Sequence, residues 1–339
     1  MGAGRIDVSF GKLMALAARS QNGKTGVQVT MGSDAVDHEP PAEGLVVNGR
    51  TPSLDALEWI TLARGGDSDG SDGGVALKQV DVLADQLLLV GGRFAQTRLQ
   101  LRPGADAVAV QLDGPALAGN LRVPTADGGT VSGQLARVYW QAAKAATAES
   151  SDTPAAAINP ANIPPLALDI DDLQFATVKL GQTRLRTRPT SDGLQVQELA
   201  IRAPKQVIDA HGEWRGMGAQ ARTQATAAVQ SEDLGDLLQR LGYAGQLRGG
   251  QGKVNLQAGW QGGPAAFNLA SLQGGMDMNL RNGQLLEVEP GAGRVLGLLS
   301  VAQLPRRLLF DFRDLFSKGL AFNHVEGAMR FGNGQASTE

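Results

Sequence analysis

The sequence predicts a mainly β chain: an elongated, curled antiparallel sheet, a repeating taco-like β-groove, with a few short helices. Three observations point there. Apolar and polar residues alternate with period two in segment after segment, which gives each strand one apolar face. Glycine is abundant, 45 of 339 residues, without a collagen-like period, and short Gly/Asp/Asn turns separate the alternating runs. Aromatic residues make up only 4 %, few for a thick sandwich core.

The strands follow in order. Ile6, Val8 and Phe10 alternate with Arg5, Asp7 and Ser9. Val27, Val29 and Met31 form the next apolar set, then Leu99 and Leu101, then Val108, Val110 and Leu112. After a gap come Leu166, Leu168 and Ile170, then Val254, Leu256, Ala258 and Trp260. Met276, Met278 and Leu280 precede the last set, Leu308, Phe310 and Phe312. Turns such as Pro103–Asp106, Asp127–Gly129 and Asp192–Gly193 read as links of an antiparallel meander.

Three segments read as helices. Residues 53–64 (SLDALEWITLAR) offer Ser53 as N-cap and Leu54, Leu57, Trp59, Ile60 and Leu62 as a broad apolar face. Residues 231–241 (SEDLGDLLQRL) repeat the scheme with Ser231 as N-cap and Gly242 as the stop. Residues 291–304 end at Pro305. The polar run 65–74 reads as a loop, and 144–165, rich in Ala, Ser, Thr, Asn and Pro, as a linker or long loop. The expected organisation is a groove segment over 1–143, the linker, and a continuing groove segment over 166–339. Strand patterns lie close to both ends, so the sequence reads as a piece of a longer chain.

Charge and composition narrow the function. Lys+Arg 31 against Asp+Glu 34 gives a net charge of −3 and no basic stripe for phosphate contacts, which argues against nucleic acid. Zero cysteines exclude disulfides, zinc–thiolate sites, iron–sulfur clusters and Cys nucleophiles. No signal peptide pattern opens the chain, and no run reaches the ~18 apolar residues of a membrane span.

The chemistry-bearing candidates each yield to a plainer reading. Asp67, Asp69 and Asp72 miss the calcium-loop pattern, because the third acid stands at position 6 and Lys78 at position 12. Gly23–Lys24–Thr25 lacks the leading phosphate-loop glycine, that position being Ala18, and reads as a hairpin turn. His38, His211 and His324 have no second histidine within helical or strand reach. Asp311 and Asp314 stand among Arg306, Arg307 and Arg313 and read as an ion-pair cluster. No nucleophile elbow or dinucleotide fingerprint appears, so neither an enzyme nor a cofactor is expected.

What remains is physical. A long sheet with one apolar face must cover it, and few helices are at hand. Curling into a trough lined by Val, Leu, Ile and Met is one solution, and such a trough suits acyl chains. Sheltering ~15 methylenes at ~0.8 kcal/mol each is worth ~12 kcal/mol. A closed sandwich or barrel packed on itself is the other solution, and alternation alone does not separate them. The expected lining is Val27, Val29, Leu99, Leu101, Val108, Val110 and Leu112 in the first segment. In the second it is Leu166, Leu168, Ile170, Val254, Leu256, Met276, Met278, Leu280, Leu308, Phe310 and Phe312.

Long motifs in the second half carry a resemblance. They are 283–300 (GQLLEVEPGAGRVLGLLS), Leu304–Leu308, and Asp311–Gly319 (DFRDLFSKG). Trp260, Gly262, Pro264 and Phe267, the run Leu269–Gly274, residues 158–166 (INPANIPPL) and Leu241–Gly242–Tyr243 add to them. Together these resemble the C-terminal part of the YhdP-type AsmA-like family of bacterial envelope proteins. The likeness is dense from about Ala156 to Phe331 and thinner before, where strand style and the helix near Pro52–Leu62 agree. The resemblance implies a β groove in the Gram-negative periplasm, anchored to the inner membrane outside this sequence, that moves phospholipid toward the outer membrane. It implies no catalytic motif. A periplasm-spanning scaffold without lipid conduction is the alternative function.

Overall fold

A computed structural model describes residues 4–65, 75–90, 92–141, 159–175, 178–240, 247–266, 272–286, 320–332 and 335–338. Almost every element is a strand, and the chain divides into two units. The first comprises Met1–Ser151 and Pro164–Ala176; the second comprises Asp152–Ile163 and Thr177–Glu339.

Unit 1 is a sheet of strands paired in sequence order. They are β1 (Gly4–Ser9), β2 (Met14–Gln21), β3 (Lys24–Met31), β4 (Gly44–Asp55) and β5 (Leu77–Leu89). β6 (Gly92–Pro103), β7 (Ala107–Asp113), β8 (Leu117–Pro124), β9 (Val131–Trp140) and β10 (Leu166–Phe175) complete it. The expected antiparallel pairing holds for most neighbours. Three pairs are parallel instead: β3–β4, β4–β5 and β9–β10. Parallel neighbours need a crossover of about a dozen residues or more. The three longest connections between these strands are long enough: residues 32–43, the helix with the residues after it, and residues 141–165, of which 152–163 belong to the second unit.

The helix α1 (Ala56–Ala63) is shorter than the sequence reading. Ser53 lies within β4, and the cap is Asp55, whose carboxylate accepts from Leu57 N at 2.8 Å and Glu58 N at 3.4 Å. Leu57 and Leu62 do not join a buried face: they are 46 % and 48 % exposed, while Ala56, Ile60 and Ala63 are buried. The reason is the shortness of the helix. Two turns present only one narrow stripe to β5, β6 and β7.

The core of unit 1 joins that stripe to Val47, Val80, Val82, Leu87, Phe94, Leu99, Leu101, Val108, Val110 and Leu112, all almost fully buried. Strands β8 to β10 add Leu117, Val123, Val131, Leu135, Val138 and Ile170. Phe94 of β6 and Trp140 of β9 meet edge to face, 5.9 Å between ring centres, so the sheet curls enough to bring these two strands into contact across the core. On the other face of β3, Gln28 and Thr30 are buried and donate to Asn48 Oδ1, each at 3.1 Å. Gly23–Lys24–Thr25 is the β2–β3 hairpin, with Asn22 and Gly23 at positive φ and Lys24 paired to Glu43 at 2.6 Å.

Unit 2 is an antiparallel meander. Its strands are β11 (Val178–Pro189), β12 (Gly193–Ala203), β13 (Gln206–Arg215), β14 (Arg222–Ser231), β15 (Leu247–Gln261), β16 (Gln273–Leu285), β17 (Leu320–Gly332) and β18 (Gln335–Thr338). Helix α2 (Leu234–Arg240) follows β14 and packs on β15. Ser231 ends β14 rather than capping the helix; the Asp233 carboxylate accepts from Asp236 N at 2.9 Å. Residues 159–165 of the expected linker are structured, with a one-turn 3-10 helix at Pro160–Asn162 capped by Asn159. The rest of that linker, the helix expected at 291–304, and Asp67, Asp69, Asp72, Leu308, Phe310, Phe312, Asp311 and Asp314 lie outside the described residues.

Candidate functional site

Strand register turns the alternation into continuous rows. In unit 1 one row crosses all ten strands: Val8, Leu16, Val29, Val47, Val80, Leu101, Val110, Leu121, Gly133 and Leu168. A second runs beside it through Met31, Gly49, Val82, Leu99, Leu112, Gly119, Leu135 and Ile170. Val27 lies one step along β3 from Val29 on the same face, opposite Leu45. The first row is exposed or partly exposed at Val8, Leu16 and Val29 and again at Leu121 and Leu168. Between them, beneath α1, Val47, Val80, Leu101 and Val110 are 0–2 % exposed. Leu99, Val108 and Leu112 are sealed in the same way. At this point the expected trough is a filled core.

Unit 2 differs. Leu185, Leu199, Ala210, Ala227, Leu256, Met276 and Met329 form a row across seven strands, β11 to β17. Strand spacing makes that row ~29 Å wide. Ile201, Ile208, Val229, Val254 and Met278 run parallel to it. Every member of the first row is only partly buried, as are Val254 and Met278; Leu280, near the β15–β16 end of the sheet, is sealed. The apolar face thus has the same strand chemistry in both units, but different cover.

The sequence reading found Val254, Leu256, Met276 and Met278, which the sheet brings together. It missed Leu185, Leu199, Ala210, Ala227 and Met329. Strands β13 and β14 hold the face with alanine and glycine between Asp, His, Gln and Thr, so their alternation is shallow in hydropathy. The signal present was the Ala225, Ala227, Val229 sequence against Gln224, Thr226 and Gln230.

The opposite face is polar in both units. Arg98 reaches Asp81 at 2.5 Å, Arg50 reaches Asp85 at 2.6 Å, and Arg202 reaches Asp209 at 2.6 Å. Asp81 is partly desolvated, which pushes its carboxyl up. Hydrogen bonds from Arg98 and Gln100, with the charges of Arg98 and Arg102, outweigh this and hold it below the usual range. Asp85 and Glu43 are lowered in the same direction, first by their hydrogen bonds to Arg50 and Lys24. A hollow of about 890 Å³ crosses β12 to β17; its lining combines the row residues Leu199, Leu256, Met276 and Met329 with polar residues such as Asp209, His211 and Asp277.

His38, His211 and His324 are exposed; His324 stands 3.6 Å from Glu326. Among the described residues no group of three acids or histidines is placed to hold a metal ion, and no helix is long and apolar enough to cross a membrane. What the arrangement offers chemically is apolar surface bordered by water.

A family model described as YhdP protein matches residues 2–339. Among curated proteins, the intermembrane phospholipid transporter YhdP of Escherichia coli (strain K12) is 23 % identical over 308 residues. The alignment covers 88 % of this chain and 24 % of that protein, so the chain spans about a quarter of the relative's length. No solved structure matches.

Proposed function

This chain belongs to the YhdP family, and from that premise we propose that its apolar sheet face shields phospholipid acyl chains in passage between the inner and outer membranes. The observation that carries the reading is the row from Leu185 to Met329, apolar, ~29 Å wide and partly open among the described residues. A face of that width is unusual to leave uncovered on a soluble domain. Each methylene laid against it is sheltered by ~0.8 kcal/mol, enough to keep a diacyl lipid out of water while it moves. No bond is made or broken. The head group stays in solvent at the rim, and movement along the row exchanges one apolar contact for an equivalent one. The site in this reading is the periplasm, with the anchor to the inner membrane in another part of the longer protein.

The test is a diazirine-acyl phospholipid in vesicles, mixed with the protein and irradiated, with labelled peptides mapped by mass spectrometry. Label on β15 and β16 at Val254, Leu256, Met276 and Met278 supports the reading. A labelling pattern confined to the polar face sinks it.

The sealed core beneath α1 favours a second reading for unit 1: a rigid spacer that holds its place in the envelope and conducts nothing. That reading expects the β5–β7 peptides to remain unlabelled even with lipid in excess.

A further inference from the structure

We infer that α1 is a strap that closes the acyl-chain path across unit 1, and that Arg64 is the latch that holds it shut. The inference rests on the lipid-shielding reading above and names the point where passage is controlled. The first row of unit 1 is apolar from β1 to β10 without interruption, apart from Gly133. It is exposed or partly exposed at Val8, Leu16 and Leu168, packs against the core at Val29 and Leu121, and is sealed in the middle strands, where α1 packs on β5 to β7. A barrel packed for stability alone has no need of apolar open flanks on either side of its core.

The strap is fastened at both ends. Asp55 starts the helix at the end of β4 through its bond to Leu57 N. One residue past the helix, Arg64 spans to the β8–β9 turn: Nε donates to Pro124 O at 2.9 Å and a terminal nitrogen to Thr125 O and Asp127 Oδ1, each at 3.3 Å. The bonds to Pro124 O and Thr125 O are partly buried, while Asp127 is fully exposed, so water competes for that ion pair. The stripe facing the core is Ala56, Ile60 and Ala63, two of them no larger than a methyl group, with Trp59 packed against the core beside it. The outer side carries exposed Leu57 and Leu62. A helix apolar on both sides can leave the core and meet an acyl chain without burying charge.

The test uses the full chain with diazirine-acyl phospholipid vesicles, comparing wild type, Arg64→Ala, and Arg122→Ala, an exposed arginine on the polar face of β8, as control. Amide exchange over Ala56–Ala63 is followed in parallel. In wild type, label should be strong on β15–β16 and weak on β7. Arg64→Ala should raise β7 label several-fold, leave β15–β16 label unchanged and speed exchange in α1 by about tenfold, the factor expected for losing a charge-assisted set of bonds. Arg122→Ala should do neither. Should Arg64→Ala fold poorly, Arg64→Lys, which keeps the charge and loses the fork, serves in its place. Equal label on β7 and β15–β16 in wild type overturns the strap. Unchanged label and exchange in Arg64→Ala overturn the latch. Absence of label everywhere overturns the lipid reading instead, and the exchange rates still decide whether Arg64 holds the helix.

Discussion

Leu256 of β15 and Met276 of β16 stand directly opposite each other in the middle of an apolar row, and neither is sealed from solvent. Leu101 and Val110 form the same kind of cross-strand pair between β6 and β7, and both are sealed. Pairing and residue type are alike in the two cases; cover is not. That difference separates stability from transport in the predictions below.

Truncation should cost unequal amounts in the two pairs. Leu101→Ala empties a filled core and should lower unfolding free energy by ~2–5 kcal/mol. Leu256→Ala removes a side chain that is already part wet, so the transfer term is smaller, on the order of 1 kcal/mol. Denaturant titration of both variants checks this. Equal losses would mean that the β15–β16 face is as closed as the β6–β7 face.

Charge insertion gives the complementary result. Val110→Arg places a guanidinium where Val110 is 2 % exposed and should prevent folding, because the charge has no route to water. Leu256→Arg should fold, its long stem carrying the charge to the open side, while acyl labelling of β15 and β16 falls. Gln111→Arg, exposed on the polar face, should be near neutral. Circular dichroism with the labelling assay reads all three; a well-folded Val110→Arg protein would place water beneath α1.

Acid should weaken unit 1 through its lowered carboxyls. Asp81, Asp85 and Glu43 each have a folded-state pKa below the unfolded value. Their stabilisation is complete above the unfolded pKa, near 4, and is lost as pH falls through the lower folded values. Unfolding free energy should therefore be level from about pH 7 to 5 and drop below about pH 4. Asp81→Asn should flatten the drop more than Asp85→Asn, because Asp81 is the less exposed of the two, 19 % against 41 %. A drop unchanged by both substitutions would assign acid sensitivity elsewhere.

Much of this architecture was legible in the residues. Val108, Val110 and Leu112 share a face because period two leaves no other choice, and the mainly β class followed from many such runs. Register is what the pattern could not provide. Val29 beside Val47 requires β3 and β4 to run parallel, and the polar connection at 32–43 reads only as a loop. Cover was also hidden. The alternation at Val110 and at Leu256 is the same; Val110 belongs to the buried cluster that includes Ile60 of α1, and Leu256 does not. The caps show the usual competition between neighbouring polar residues: Ser53 and Asp55 both suit an N-cap, and the one where the strand ends takes the role.

Gly274 provides the last prediction, because it ties the geometry of the open face to a single backbone position. It pairs with Ala258 near the start of β16 and lies across from Phe331 on β17, two residues before Met276 on the same face. Its φ is +138°, a region L side chains rarely adopt, and a methyl group there would run into the Gln257 carbonyl oxygen. Gly274→Ala must therefore pay strain of ~1–3 kcal/mol or shift β16 away from β15. A shift moves Met276 off Leu256 and breaks the row that the acyl chain would follow. The expected result is a lower denaturation midpoint together with reduced acyl labelling at Met276 and Met278. Gly332→Ala, where φ is not positive and nothing lies within 4 Å of the added carbon, is the control and should be neutral or slightly stabilising. If Gly274→Ala keeps both the midpoint and the labelling of wild type, the row does not depend on this close approach of β15 and β16.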